Sequence, residues 1–132
     1  VSGTTVKPFL MFQGQAREAM TFYLSLFPDA RVISAEHYGP GEPGPEGSVK
    51  VASFSIAGQE VMCIDSPVKH EFDFTPSFSF FVDCSGEEEQ SRLFSALSDG
   101  GAVLMPMGDY GFSRRFTWVS DRYGVSWQLN LP

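Results

Sequence analysis

Residues 8–23 read Pro8-Phe-Leu-Met-Phe-Gln-Gly-Gln-Ala-Arg-Glu-Ala-Met-Thr-Phe-Tyr23, and the switch from strand to helix within them decides the fold. The run Lys7–Phe12 is apolar and suits a strand buried on both faces. Gly14 breaks it. From Gln15 to Phe27, the residues Ala16, Ala19, Met20, Tyr23 and Phe27 recur at three and four, one apolar helical stripe. Pro28-Asp29 ends the helix. The same order returns later in the chain. Pro76–Asp83 reads as a strand, and Ser85-Gly-Glu-Glu88 has the form of a capping box. The helix it opens runs to about Ser98, with Leu93, Phe94 and Leu97 inward, and Asp99-Gly100-Gly101 stops it.

Three further strands follow each helix. In the first half they are Arg31–Tyr38, Ser48–Ile56 and Glu60–Asp65; in the second, Ala102–Pro106, Arg115–Ser120 and Val125–Leu131. Pro8 and Pro76 open the two halves at an offset of 68, and Gly58 and Gly124 precede the last strands at an offset of 66. The chain is therefore read as α+β: one domain over 1–132, made of two βαβββ repeats at about 5–66 and 75–132. The Gly- and Pro-rich stretch Gly39–Gly47 holds neither helix nor ladder and is expected to be an exposed, mobile loop.

One such unit leaves one sheet face open, and two are expected to pair their open faces into a cup-shaped mixed sheet. Alternation assigns the faces. Ser77 and Ser79 face one way and Phe78, Phe80 and Val82 the other; Ser126, Gln128 and Asn130 oppose Val125, Trp127 and Leu129. The apolar faces are expected to meet the helices and the polar faces to line the cup.

Composition bounds the partners. A hydrophobic fraction of 42% supplies a core, and a net charge of -7 repels nucleic acid and anionic membrane surfaces alike. No apolar run approaches the ~20 residues that span a bilayer. The start, Val1 to Lys7, has no apolar signal core, so a cytoplasmic protein is expected. Cys63 and Cys84 suit packed strand thiols in a reducing compartment. The glycines at 39, 41, 44 and 47 lie among prolines, without the strand–GxGxxG–helix context of a nucleotide site.

The stretches 8–23, Phe72-Asp-Phe-Thr-Pro-Ser-Phe-Ser-Phe-Phe-Val82, Asp109-Tyr-Gly-Phe-Ser113 and Trp118-Val-Ser-Asp-Arg-Tyr-Gly-Val-Ser-Trp-Gln-Leu129 carry a resemblance. The chain resembles the vicinal oxygen chelate, or glyoxalase, superfamily with its glyoxalase/bleomycin resistance fold. Within it the chain is similar to the PhnB-like family, labelled 3-demethylubiquinone-9 3-methyltransferase domain. Metal-dependent members of that superfamily hold one divalent ion with four side chains. The repeat carries those positions onto Pro8, Cys63 (or Asp65 with a two-residue slip), Ser77 and Gln128. That set lacks the usual His and carboxylate donors, so no metal and no cofactor are expected.

The reading that follows is a metal-free protein binding an unidentified small molecule, and a homodimer. Phe12, Cys63, Asp65, Ser77, Ser79, Trp118 and Gln128 are the expected binding residues. The alternative is an enzyme on a small carbonyl or quinone-like substrate (lyase, isomerase or methyltransferase-labelled), using Asp65 or Cys63 with Gln128 in acid–base chemistry. A third reading is an interaction protein whose pocket its own aromatics fill. His37 and His70 share no metal-ligand spacing, although His70 lies in a loop that would rim the cup.

Overall fold

A computed structural model describes residues 3–132. Val1 and Ser2, at the head of the stretch read as lacking a signal core, lie outside the described residues. The chain divides into two compact units with the boundary between His70 and Glu71.

The first unit runs β1 (Phe9–Phe12), α1 (Ala16–Leu26), β2 (Arg31–His37), β3 (Val49–Ile56) and β4 (Gln59–Asp65). Its sheet order is β1-β4-β3-β2, with β1 parallel to β4 and the other pairs antiparallel. The second runs β5 (Ser79–Asp83), α2 (Glu87–Ser98), β6 (Ala102–Gly108), β7 (Arg115–Ser120) and β8 (Ser126–Leu131), in the order β5-β8-β7-β6. The last strand of each unit is thus inserted beside the first. The βαβββ repeat is present twice with one topology.

Each helix covers one face of its own sheet. Ala16, Ala19, Met20, Tyr23 and Leu26 of α1 are buried, and the Tyr23 ring stacks on Phe54 of β3 with centroids 6.4 Å apart. Leu93 and Leu97 of α2 are buried, and Trp127 of β8 meets Phe80 of β5 at 4.7 Å. Fully burying side chains of this size contributes about 1.5–3 kcal/mol each, which makes these helix-facing layers the cores.

Several sequence expectations shift. β1 is not buried on both faces: Leu10 and Phe12 are buried, whereas Phe9 is 54% exposed, because only one face meets a helix. The strand expected from Pro76 begins at Ser79, and Ser77 lies in the turn before it, bonded to Thr75. The α2 cap moves by one residue. Gly86 is the N-cap, and Glu89 rather than Glu88 reaches back, accepting from the Ser85 N–H at 2.8 Å and its hydroxyl at 3.2 Å. The Gly39–Gly47 stretch is exposed for most of its length but closes on itself. The Gly47 N–H donates to the Tyr38 carbonyl, and Gly44 is buried against the Tyr38 ring.

Two glycines give a paired test. A Cβ on Gly101 would run into the Ser120 carbonyl, where β6 starts against the end of β7. One on Gly86 meets nothing within 4 Å, and its φ of -178° is ordinary extended backbone. Gly101→Ala is expected to lose about 2 kcal/mol or more in urea unfolding. Gly86→Ser is expected to be neutral or gain a few tenths, since serine caps better than glycine.

Candidate functional site

Strand registry sorts the expected binding residues. In the first unit Leu10 pairs with Cys63 and Phe12 with Asp65, while Phe9 pairs with Met62 and Met11 with Ile64. Residues opposite one another share a face. Phe12, Cys63 and Asp65 are buried under α1, at 3%, 0% and 3% exposure. The helix-free face instead shows Phe9, Met11, Met62 and Ile64, with Glu60 ion-paired to Lys7 at 3.1 Å. The placement of Cys63 or Asp65 opposite Gln128 in the repeat is therefore corrected by one residue. The 66-residue offset of the turn glycines makes Met62 the counterpart of Gln128. A one-residue slip moves every side chain to the other face.

Both oxygens of Asp65 accept backbone hydrogen bonds. Its Oδ1 accepts from the Gly14 N–H at 2.8 Å and the Ala16 N–H at 2.9 Å, and its Oδ2 accepts from the Val49 N–H at 3.0 Å. Ala16 is the first residue of α1, whose own N-cap, Gln15, makes no side-chain cap. The carboxylate thus serves as a helix cap from 49 positions away. Cys63 beside it has its thiol pushed up to about 12, by burial first and by the Asp65 charge second. Cys84 is pushed up to about 11, again chiefly by burial. Neither holds the thiolate that nucleophilic work requires, and both are free cysteines.

The second unit keeps its expected residues together. On the helix-free face, the Ser79 and Ser126 hydroxyls lie 2.6 Å apart. Gln128 Nε2 donates to Ser79 Oγ at 3.2 Å, and Trp118 Nε1 donates to Ser126 Oγ at 2.8 Å. Gln128 is half-buried, and its partners across the ladder are Phe81 on β5 and Trp118 on β7. An amide therefore stands between two aromatic rings on one face. Its oxygen accepts no hydrogen bond among the described residues. Beyond Phe81 an aromatic cluster continues through Phe116, Tyr110 and Phe112, with Phe112 edge-on to Phe116 at 4.8 Å. Ser77, in its turn, takes no part, and Ser79 occupies the place expected for it. Ser126, at the centre of this network, was not among the expected binding residues. The alternation had already put it on the Gln128 face.

The fold family implies a divalent metal in some members, and these residues do not fit one. The face offers hydroxyls, a carboxamide and indole, and its carboxylate, Asp83, lies exposed and bonded to Asn130 at 2.9 Å. Among the described residues no three His, Cys, Asp or Glu side chains gather. Neutral oxygens of this kind do not offset the desolvation of a dication.

The role of Asp65 is open to direct measurement. Asp65→Asn keeps the volume but turns an NH2 toward at least one of the three N–H donors. It is expected to cost about 2 kcal/mol or more in chemical unfolding. A loss below about 0.5 kcal/mol would contradict the cap.

Similar proteins agree with this architecture. A PhnB protein from Bacillus cereus superposes with a TM-score of 0.94 at 50% identity, covering 98% of this chain and 100% of that one. Escherichia coli Protein YjdN is 24% identical over 96% of this chain and 94% of its own. FosX, a fosfomycin resistance protein of Listeria monocytogenes, shares the fold alone, with a TM-score of 0.64 at 14% identity over 100% and 94%. These neighbours carry the vicinal oxygen chelate fold expected from the sequence. The model described as 3-demethylubiquinone-9 3-methyltransferase matches residues 4–130, and the chain belongs to that PhnB-like family.

Proposed function

We propose that this chain binds a small, neutral, planar molecule on the helix-free face of its second sheet, without a metal and without chemistry. Gln128 carries the reading. It is half-buried, its Nε2 is fixed by Ser79, its oxygen is left to accept, and Phe81 and Trp118 flank it. Binding sites combine apolar walls with a few placed polar groups. A carboxamide between two rings suits a ligand that stacks and donates one hydrogen bond. The neutral donor set supports metal-free binding, and the chain's charge of -7 disfavours anionic ligands. FosX was solved with Mn(II) and 1S,2S-dihydroxypropylphosphonic acid, so a protein of this fold does hold a small molecule.

The acid–base alternative finds less support, because Asp65 and Cys63 face α1 and the Asp65 oxygens are spent on backbone. A homodimer remains part of the reading. The edge strands β2 and β6 expose Val32, Ile33, Val103 and Leu104, and such edges are commonly covered. The two free thiols support a cytoplasmic setting. No helix among the described residues is long and apolar enough to cross a membrane.

The test is a screen of small neutral phenols and aryl amides by calorimetry, repeated on Gln128→Leu. Losing the one acceptor is expected to weaken binding about tenfold or more, on the order of 1.4 kcal/mol. Equal affinity of the parent and Gln128→Leu for every bound compound would sink the proposal.

A further inference from the structure

The first unit holds a pair of groups that this binding face does not use. Ser66 Oγ lies 2.9 Å from His70 Nε2. The Ser66 backbone is pinned by donation of its N–H to the Phe12 carbonyl at 2.7 Å. The Val68 N–H donates to the same Oγ at 3.2 Å, and the His70 N–H donates to Gln13 Oε1 at 3.3 Å. Ser66 opens onto a cleft of about 370 Å³ whose lining includes Gln13, Pro45, Ser48 and Lys69. Gln13 spends only its oxygen among the described residues, so its Nε2 is left to donate.

We propose that Ser66 is an acylatable nucleophile with His70 as its base, accepting the acyl group of small activated carboxylic esters in this cleft. A serine becomes nucleophilic when a base within hydrogen-bond reach takes its proton. The hydroxyl has one hydrogen and two acceptors in reach, His70 Nε2 and the Val68 carbonyl at 2.8 Å. With the imidazole proton on Nδ1, Nε2 is the acceptor. Oγ then attacks the ester carbonyl carbon as its proton passes to Nε2. The bond from carbon to the leaving oxygen breaks, and that oxygen takes the proton back from His70. Gln13 Nε2 is the donor placed to meet the carbonyl oxygen as it gains charge. The site lies wholly within the first unit and is independent of the Gln128 face.

The probe is p-nitrophenyl acetate on the full chain, read by nitrophenolate release and by peptide mass spectrometry. One acetyl group is expected on Ser66. Ser66→Ala is expected to abolish it, and His70→Gln to slow release about 100-fold. Peptide mapping of the parent chain decides even if a variant fails to fold. An acetyl group carried by Lys69 or any residue other than Ser66, or no acetylation, overturns the proposal. Equal release rates in the parent and in a folded His70→Gln would also overturn it.

Discussion

The Asp65 carboxylate gathers backbone N–H groups from three segments of the first unit: the loop after β1, the start of α1 and the start of β3. The Ala16 donor is otherwise an orphan, since the first N–H groups of a helix have no partner within it. Burying the charge is tolerable because both oxygens accept hydrogen bonds. The interaction fixes where the helix departs from the sheet, and so fixes which face of β4 the helix covers. Everything on the open face follows from that choice. Met62 and Ile64 are turned outward because Cys63 and Asp65 are turned in.

The second unit reaches the same topology with a different anchor. Asp121, in the turn between β7 and β8, accepts from the Tyr123 and Val125 N–H groups at 2.8 and 3.0 Å and from Trp127 Nε1 at 2.9 Å. This carboxylate fixes the turn and the Trp127 ring rather than the helix start. Gln90 on α2 binds the sheet instead, donating to the Arg115 and Leu129 carbonyls at 3.0 and 3.1 Å. Duplication has preserved strand order while the supporting bonds diverged. The open faces diverged too: the first shows Phe9, Met11, Met62 and Ile64 with Ser53, Ser55 and Glu60, and the second shows hydroxyls, an amide and aromatic rings. In the second, a carboxamide stands between two aromatic rings, the mixture of polar and stacking groups that selects a ligand.

The fold was legible because the helical stripe at Ala16 to Tyr23 and the turn glycines are strong local signals. The β8 face was legible for the same reason, since Ser126, Gln128 and Asn130 alternate cleanly with Trp127 and Leu129. β4 was not. Val61, Met62, Cys63 and Ile64 are apolar on both faces, so alternation through them carries no phase, and the polar residue that ends the strand, Asp65, points into the core. Its partners lie 16 to 51 positions away, a separation no local pattern encodes. Ser77 was misplaced for another reason. The phase of the alternation continued through Pro76 into a turn, although proline withholds the ladder hydrogen bond that would have continued the strand.

The two tryptophans of the chain stand on opposite faces of the same sheet, which gives the central claim a direct reporter. Trp118 Nε1 is bonded to Ser126 on the open face, and Trp127 Nε1 to Asp121 beneath it. In a nitrogen-15 NMR titration with a neutral aryl amide that binds, the Trp118 indole signal is expected to move and the Trp127 signal to stay. Movement of Trp127 alone, or of neither at saturation, would contradict a ligand site on the Gln128 face.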